Sequence, residues 1–184
     1  MQELSAKELL SQYAEGRRNF GAIALNRANL FEANLEDIDL EGSHLVQLHM
    51  PYANLSYANL QKTQILEVEF GDIQLYHSNL ADATLRTSNL SRANLRSGNL
   101  RGATLCDINL QGADLYNADL RSVHLRNVDL QRANLERARL EGATFVGCNL
   151  FRAKGINLSP LECDRTVAPD GFWLGVGEPD TPEN

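Results

Sequence analysis

The stretch "RANLRSGNLRGATLCDINLQGADLYNADL", Arg92–Leu120, carries a leucine at every fifth position. Stepping by five in both directions extends the pattern from Phe20 to Leu150 without an insertion. It covers 27 positions, 22 of them Leu and the others Phe20, Met50, Ile65, Phe70 and Phe145; Gly155 ends the run. On an α-helix, five residues sweep about 500°, so successive leucines would sit about 140° apart and circle the axis. On a strand, an odd step sends each leucine to the opposite face. One side can hold all 27 only if the chain turns a corner in every repeat, which makes it a coil wrapped around its own core.

Two residues before each leucine stands Ala in 12 repeats and Ser, Thr, Gly or Cys in six. In extended chain that spacing returns to the same face, so each repeat points one large and one small group inward. Bulkier residues fill the position in the other repeats, including Ile23, Ile38, Leu48, Ile73, Ile108 and Val128, and they require a wider coil there. The residue just before the leucine is Asn or Asp in 16 repeats. It points outward, favours turns by bonding nearby backbone, and can stack into hydrogen-bonded ladders. Leu30, Leu35, Leu55, Leu95, Leu115 and Leu135 are expected core residues.

The segments "NLSRANLRSGNLRGATL" (Asn89–Leu105) and "QGADLYNADLRS" (Gln111–Ser122) resemble pentapeptide-repeat proteins, whose pattern is A-(D/N)-L-x-x. The resemblance runs from Arg18 to Ala153, about three-quarters of the chain. It implies an all-β solenoid, a right-handed quadrilateral β-helix with twenty residues per coil and about seven coils. The opening "ELLSQYAEGRRNFGAIAL" (Glu8–Leu25) and the closing "VAPDGFWLG" (Val167–Gly175) are similar to segments that flank the repeats in cyanobacterial members.

Three regions are therefore expected: residues 1–17 as an N-terminal capping helix, 18–154 as the β-helix, and 155–184 as an irregular C-terminal cap and acidic tail. Ser5 and Glu8 have capping-box spacing, and Gly16 is a stop. Leu9, Leu10 and Tyr13 would close the first coil or, alternatively, dock a partner. Phe172 and Trp173, beside the Pro169–Gly171 turn, would cover the last coil or form a homodimer or partner contact. A monomer, or a dimer through the C-terminal end, is expected.

The chain has 184 residues, 43% hydrophobic and 22% charged, with net charge -7. No run of 18 apolar residues suggests a membrane span, and the start lacks a secretory pattern; a cytoplasmic protein is expected. Cys106, Cys148 and Cys163 have neither disulfide-framework nor zinc-knuckle spacing. His44, His49, His77 and His124 are scattered, and no glycine-rich phosphate loop occurs. No cofactor, metal or catalytic site is expected.

At twenty residues per coil, Tyr57, Tyr76, His77, Arg96, Tyr116 and Arg137 line one face and form the candidate partner-binding surface, since Tyr and Arg dominate binding hot spots. The bland alternative is rings that merely decorate a regular surface. Residues 28–85 hold nine acidic groups and one Lys, while residues 86–152 hold ten Arg and six acidic groups. The function these features suggest is a non-catalytic protein–protein interaction scaffold, in signalling or regulation as in cyanobacterial members. The alternative, also implied by the resemblance, is a DNA mimic that binds DNA gyrase. The arginine-rich half spoils uniform mimicry, and the coils lack the interrupting loops of the quinolone-resistance type. The negative total charge and the absence of interleaved aromatics argue against nucleic acid as a partner.

Overall fold

The computed structural model describes residues 1–159 and 161–175. The expected acidic tail, Gly177–Asn184, and the apolar Val176 lie outside the described residues. The chain winds into a β-solenoid. On its first side run nine parallel strands in sequence order: β1 (Gln2–Leu4), β2 (Ile23–Asn26), β3 (His44–Val46), β4 (Gln64–Leu66), β5 (Thr84–Asn89), β6 (Thr104–Asn109), β7 (His124–Arg126), β8 (Thr144–Val146) and β9 (Glu162–Asp164). From β2 to β8 every register step is twenty residues, for example Leu45↔Ile65 and Leu105↔Leu125. Isolated parallel bridges such as Asn54↔Gln74 and Asn79↔Asn99 repeat the same step on the other three sides. The quadrilateral coil of four repeats is thus observed directly.

Each repeat is a three-residue side followed by a two-residue edge. The side's first and third residues point inward and form one continuous core, in which Leu30, Leu35, Leu55, Leu95, Leu115 and Leu135 are all buried. We number the sides and the edges that follow them from Ile23–Leu25, so the third edge, for instance, begins at Glu36–Asp37. The second edge residue has positive φ in all 27 repeats, from Ala22 to Arg152, including five glycines. That left-handed conformation costs a non-glycine residue about 1 kcal/mol or more, yet Arg, Glu, Lys and Thr all adopt it. The inter-coil hydrogen bonds and the leucine core hold each corner in place.

Corners on the second, third and fourth edges are closed by a turn bond, such as Ala93 N–H to Leu90 C=O and Ala113 N–H to Leu110 C=O. After Leu25, Leu45, Ile65 and Leu125 that bond is missing, and the chain takes a wider corner. The bulky inward residues Leu48, Val68, Ile108 and Val128 follow this edge, all buried. Four of the bulky inward residues thus share this one side, whereas Ile38, Ile73 and Val123 are accommodated behind corners that keep the turn bond. Where the small Ser88 stands instead, its hydroxyl accepts the Val68 N–H at 3.0 Å and donates to Arg86 C=O at 2.8 Å.

The Asn and Asp positions work as two-way connectors. The Asn79 Oδ1 accepts the Ala81 N–H and the amide of Asn99, while its own Nδ2 donates to Asn59 at 3.4 Å. Asn54 donates in the same way to Asn34, Asn94 to Gln74 and Asn134 to Asp114. One side-chain oxygen stitches the corner, and one amide stitches the coil before it. At the end of the Asn79 ladder stands Asp119, buried and bonded by Arg121 (2.6 Å) and Arg139 (2.9 Å). The Arg121 hydrogen bonds, foremost, hold its carboxyl below the usual carboxylate range, against the effect of burial. A depressed folded-state pKa stabilises the fold above the unfolded pKa, near pH 4, and that stabilisation is lost as pH falls through the folded value. Asp119→Asn should therefore flatten the fall in melting temperature below about pH 4. Parallel profiles for variant and wild type would refute this linkage.

Both ends add rungs that the five-residue period does not mark. Nine strands make eight steps, one more than the repeat count suggests, and a rod about 38 Å long at 4.8 Å per step. At the start, β1 pairs with β2 so that Leu4 sits over Leu25. Helix α1 (Ala6–Ala14) follows, capped reciprocally by Ser5 and Glu8. Leu9 is buried in the core, and the Tyr13 hydroxyl donates to Glu36 C=O at 2.7 Å. Leu10 is 36% exposed. Neighbouring helix positions diverge by about 100°, so Leu10 leaves the face that Leu9 shares with Tyr13.

At the other end, β9 pairs with β8 after a coil of only eighteen residues, placing Cys163 under Phe145. A two-stranded hairpin of β10 (Thr166–Val167) and β11 (Trp173–Leu174) turns through Pro169–Gly171. Trp173 is half-buried, whereas Phe172 is 72% exposed. Successive residues of an extended segment point to opposite faces, so the two rings cannot cover the same surface.

Candidate interaction surface

The third edge gathers the candidate partner-binding residues. Its corner residues stack in two columns, Ser56, Tyr76, Arg96, Tyr116 and Glu136 beside Tyr57, His77, Ser97, Asn117 and Arg137. Rings on successive coils meet diagonally. Tyr57 packs edge-on against Tyr76 with centroids 5.7 Å apart and stacks on His77 at 5.6 Å, while Tyr76 and His77 meet edge-on at 4.3 Å. Aromatic pairs prefer such T-shaped and offset arrangements. Farther along, the Arg96 guanidinium lies 4.4 Å from the Tyr116 ring centre and Arg137 lies 5.6 Å from it on the next coil. Tyr116 is thus flanked by two cations, each within cation–π range.

Arg96 does not swing freely. Its Nη1 bonds Asp114 Oδ2 at 3.0 Å. The other oxygen of Asp114 takes the Tyr116 N–H at 3.1 Å and the Asn134 amide at 3.0 Å. The stitching ladder of the third side therefore also orients the edge. The six candidates form two groups, Tyr57–Tyr76–His77 and Arg96–Tyr116–Arg137, spread over four coil steps, or about 19 Å. Tyr57, His77 and Arg137 are exposed, and Tyr76, Arg96 and Tyr116 are half-buried.

A second aromatic group stands on the neighbouring second edge. Phe31 (47% exposed) meets Tyr52 (55% exposed) edge-on at 5.9 Å and stacks on His49 at 6.1 Å. Sequence reading passed over it because Phe31 and Tyr52 lie 21 residues apart, one position off the twenty-residue register. The signal was present, since first and second corner residues of successive coils meet diagonally, as Tyr57 and Tyr76 do.

Four of the ten arginines of the belt, Arg92, Arg96, Arg121 and Arg139, are answered by carboxylates. Arg92 makes a bidentate bridge to Asp72, at 2.8 and 2.6 Å, one coil back on the second edge. Arg121 and Arg139 share Asp119. Among the described residues, Arg86, Arg101, Arg126, Arg132, Arg137 and Arg152 make no ion pair.

Among the described residues, no three His, Cys, Asp or Glu side chains converge as metal ligands would, and no helix is long and apolar enough to cross a membrane. The three thiols are unpaired; burial, foremost, pushes Cys148 up to about 11.

A family model described as pentapeptide repeats matches the chain in eight copies, over residues 28–64, 69–105, 88–127 and 119–154. No curated protein matches significantly. Among solved structures, the chain is similar to HetL, a pentapeptide-repeat protein involved in heterocyst differentiation regulation from the cyanobacterium Nostoc sp. strain PCC 7120. That match has 25% identity and a TM-score of 0.52, over 93% of this chain and 100% of that one. It is also similar to QnrB1, a plasmid-mediated fluoroquinolone resistance protein, at 16% identity and TM-score 0.54, over 80% of this chain and 86% of that one. The pentapeptide-repeat protein alr5209 of Nostoc PCC 7120 is 30% identical over 89% of this chain and 98% of that one, with a TM-score of 0.36.

Proposed function

The chain belongs to the pentapeptide-repeat family, and on that premise we propose that it is a non-catalytic scaffold that docks a protein partner along the third edge. The observation that carries this reading is the row of tyrosine rings and guanidiniums presented on successive coils, each held by ladder or ring contacts. A rigid frame presents these groups already ordered, so docking costs little side-chain entropy. Its likeness to HetL supports a regulatory setting. A core filled by its own leucines supports the non-catalytic part of the reading, because catalysis needs a water-excluding pocket with converging groups.

Mimicry of DNA, the alternative, would need acidic charge along most of a continuous face. Arg86 and Arg126 on the first edge, and Arg132 and Arg152 on the second, which make no ion pair among the described residues, interrupt it. The test is a pull-down from the source organism's lysate with wild type and with a variant in which Tyr57, Tyr76 and Tyr116 are all Ala. We expect a specific partner to be retained by the wild type and reduced at least about tenfold by the variant, as removal of hot-spot rings does. Each single Tyr→Ala change should alter stability by no more than about 1 kcal/mol, because these rings lie at the surface. Equal capture by both baits would overturn the third-edge reading, and specific capture of gyrase would favour mimicry.

A further inference from the structure

A shallow depression of about 540 Å³ lies where the first side meets the first edge, away from the tyrosines. It is lined by Thr104, His124 and Thr144 on the side, and by Arg86, Cys106 and Arg126 on the edge, with Arg165 at its end. The register explains the composition. Arg86, Cys106 and Arg126 are partners on β5, β6 and β7, so two guanidiniums flank a thiol, one coil step away on each side. The hydroxyls come from the neighbouring column, where His124 Nδ1 lies 3.1 Å from Thr144 Oγ1.

In parts of the rod the ladder sets arginine against a carboxylate, as in Arg92–Asp72 and Arg139–Asp119. Here it sets arginine near arginine. Neither Arg86 nor Arg126 has an ion-pair partner among the described residues, and both are exposed. Four carboxylates stand around it, Glu67 beside Arg86, Asp107, Glu162 beside Thr144, and Asp164, but none lines it. Asp107 accepts from the Cys106 thiol at 3.2 Å and from the Asn127 amide at 2.9 Å; Asp164 accepts from Arg165 at 3.3 Å. The lining of the depression itself thus carries three arginines and no carboxylate. Hydroxyl donors stand beside them.

We propose that this depression is an oxyanion site that seats a phosphoryl group between Arg86 and Arg126, over Cys106. A guanidinium presents paired N–H groups that match phosphate oxygens two at a time. Thr104 and Thr144 supply hydroxyl donors at the same site. The phosphoryl group belongs either to free inorganic phosphate or to a phosphorylated side chain of a partner protein; both present the same oxygens.

The test is a titration of the ¹⁵N-labelled full chain, followed through amide shifts. The probes are inorganic phosphate and a phosphoserine peptide, with the unphosphorylated peptide as control. Saturable shifts at Thr104, Cys106 and His124 are expected, with affinity falling about tenfold or more in Arg86→Gln/Arg126→Gln. Arg86→Lys/Arg126→Lys keeps the charge but loses the fork, and should fall between the two. Tighter binding of the phosphopeptide identifies a partner as the source, and equal binding identifies the free anion. Melting temperature reports that the variants are folded, as expected for exposed positions. Absence of saturable shifts with either probe, or unchanged affinity in folded Arg86→Gln/Arg126→Gln, overturns the proposal.

Discussion

Leu95→Asp is expected to abolish cooperative folding at neutral pH. Leu95 is fully buried and stacks in register between Leu75 and Leu115, in a column that also contains Leu35, Leu55 and Leu135. Removing the leucine side chain alone costs about 2–5 kcal/mol. The incoming carboxylate then enters a continuous, overwhelmingly apolar core. Backbone donors around it are committed to coil-to-coil bonds such as Leu95 N–H to Asp114 C=O, and burial of an unpaired charge adds several kcal/mol more. The sum approaches the whole stability of a domain this size, about 5–15 kcal/mol. A solenoid has no second core to fall back on, since each coil contacts only its neighbours. Thermal denaturation followed by circular dichroism is the check. Leu95→Met should melt within about 1.5 kcal/mol of wild type, as Met50 and Ile65 already occupy equivalent positions. A cooperative melt of Leu95→Asp near the wild-type temperature would mean that position 95 does not point inward.

The same column shows what a period can and cannot convey. A leucine every five residues survives in the sequence because each inward position faces the same steric demand, and a single polar intruder is costly. The Asn and Asp column survives for a related reason, because each such side chain closes a corner and a ladder at once, as Asn79 does. The second corner residue was harder to read. It is left-handed in every repeat, yet only 11 of the 27 are Gly, Asp or Asn. A strain of about 1 kcal/mol at an exposed site is too small to dictate residue type, so Arg92, Glu67 and Thr87 occupy it as well. Strands β1 and β9 left no periodic trace because backbone pairing recruited them. Leu4 and Cys163 stand in the leucine column, but a helix and an eighteen-residue coil put them out of phase.

The candidate surface was legible in part for the same reason. Twenty-residue stacking places Tyr76, Arg96 and Tyr116 on one edge. Stacking alone does not reveal that Asp114 orients Arg96, since that contact spans eighteen residues between a side and an edge. Nor does it pick out Arg86 and Arg126 from the other arginines. What distinguishes them is that both line one depression on either side of Cys106, which shows only with the ladder geometry in hand.

Gly155 occupies the twenty-eighth leucine position, and its replacement by Ala should unseat the last coil. The residue has φ +73°, and a Cβ built there runs into the backbone N and Cα of Glu136, well inside van der Waals contact. Backbone cannot yield as a flexible side chain can. The period ends here because the chain turns across the preceding coil. Gly112 is the control. Its φ is similar, +68°, but a Cβ there would meet only Arg92 Cγ at 3.6 Å, an ordinary contact. Gly112→Ala should therefore cost about 1 kcal/mol of left-handed strain, whereas Gly155→Ala adds overpacking and should cost about 3 kcal/mol or more. The damage should also be local, since coils interact only with their neighbours. Hydrogen exchange separates these expectations. In Gly155→Ala the Val167 N–H, bonded to Cys148 C=O at 2.9 Å, should lose protection, while Asn94 and Asn99 in the middle of the rod keep theirs. Equal cost and unchanged Val167 protection in the two variants would mean that the terminal coil does not depend on the close crossing of Gly155 over Glu136.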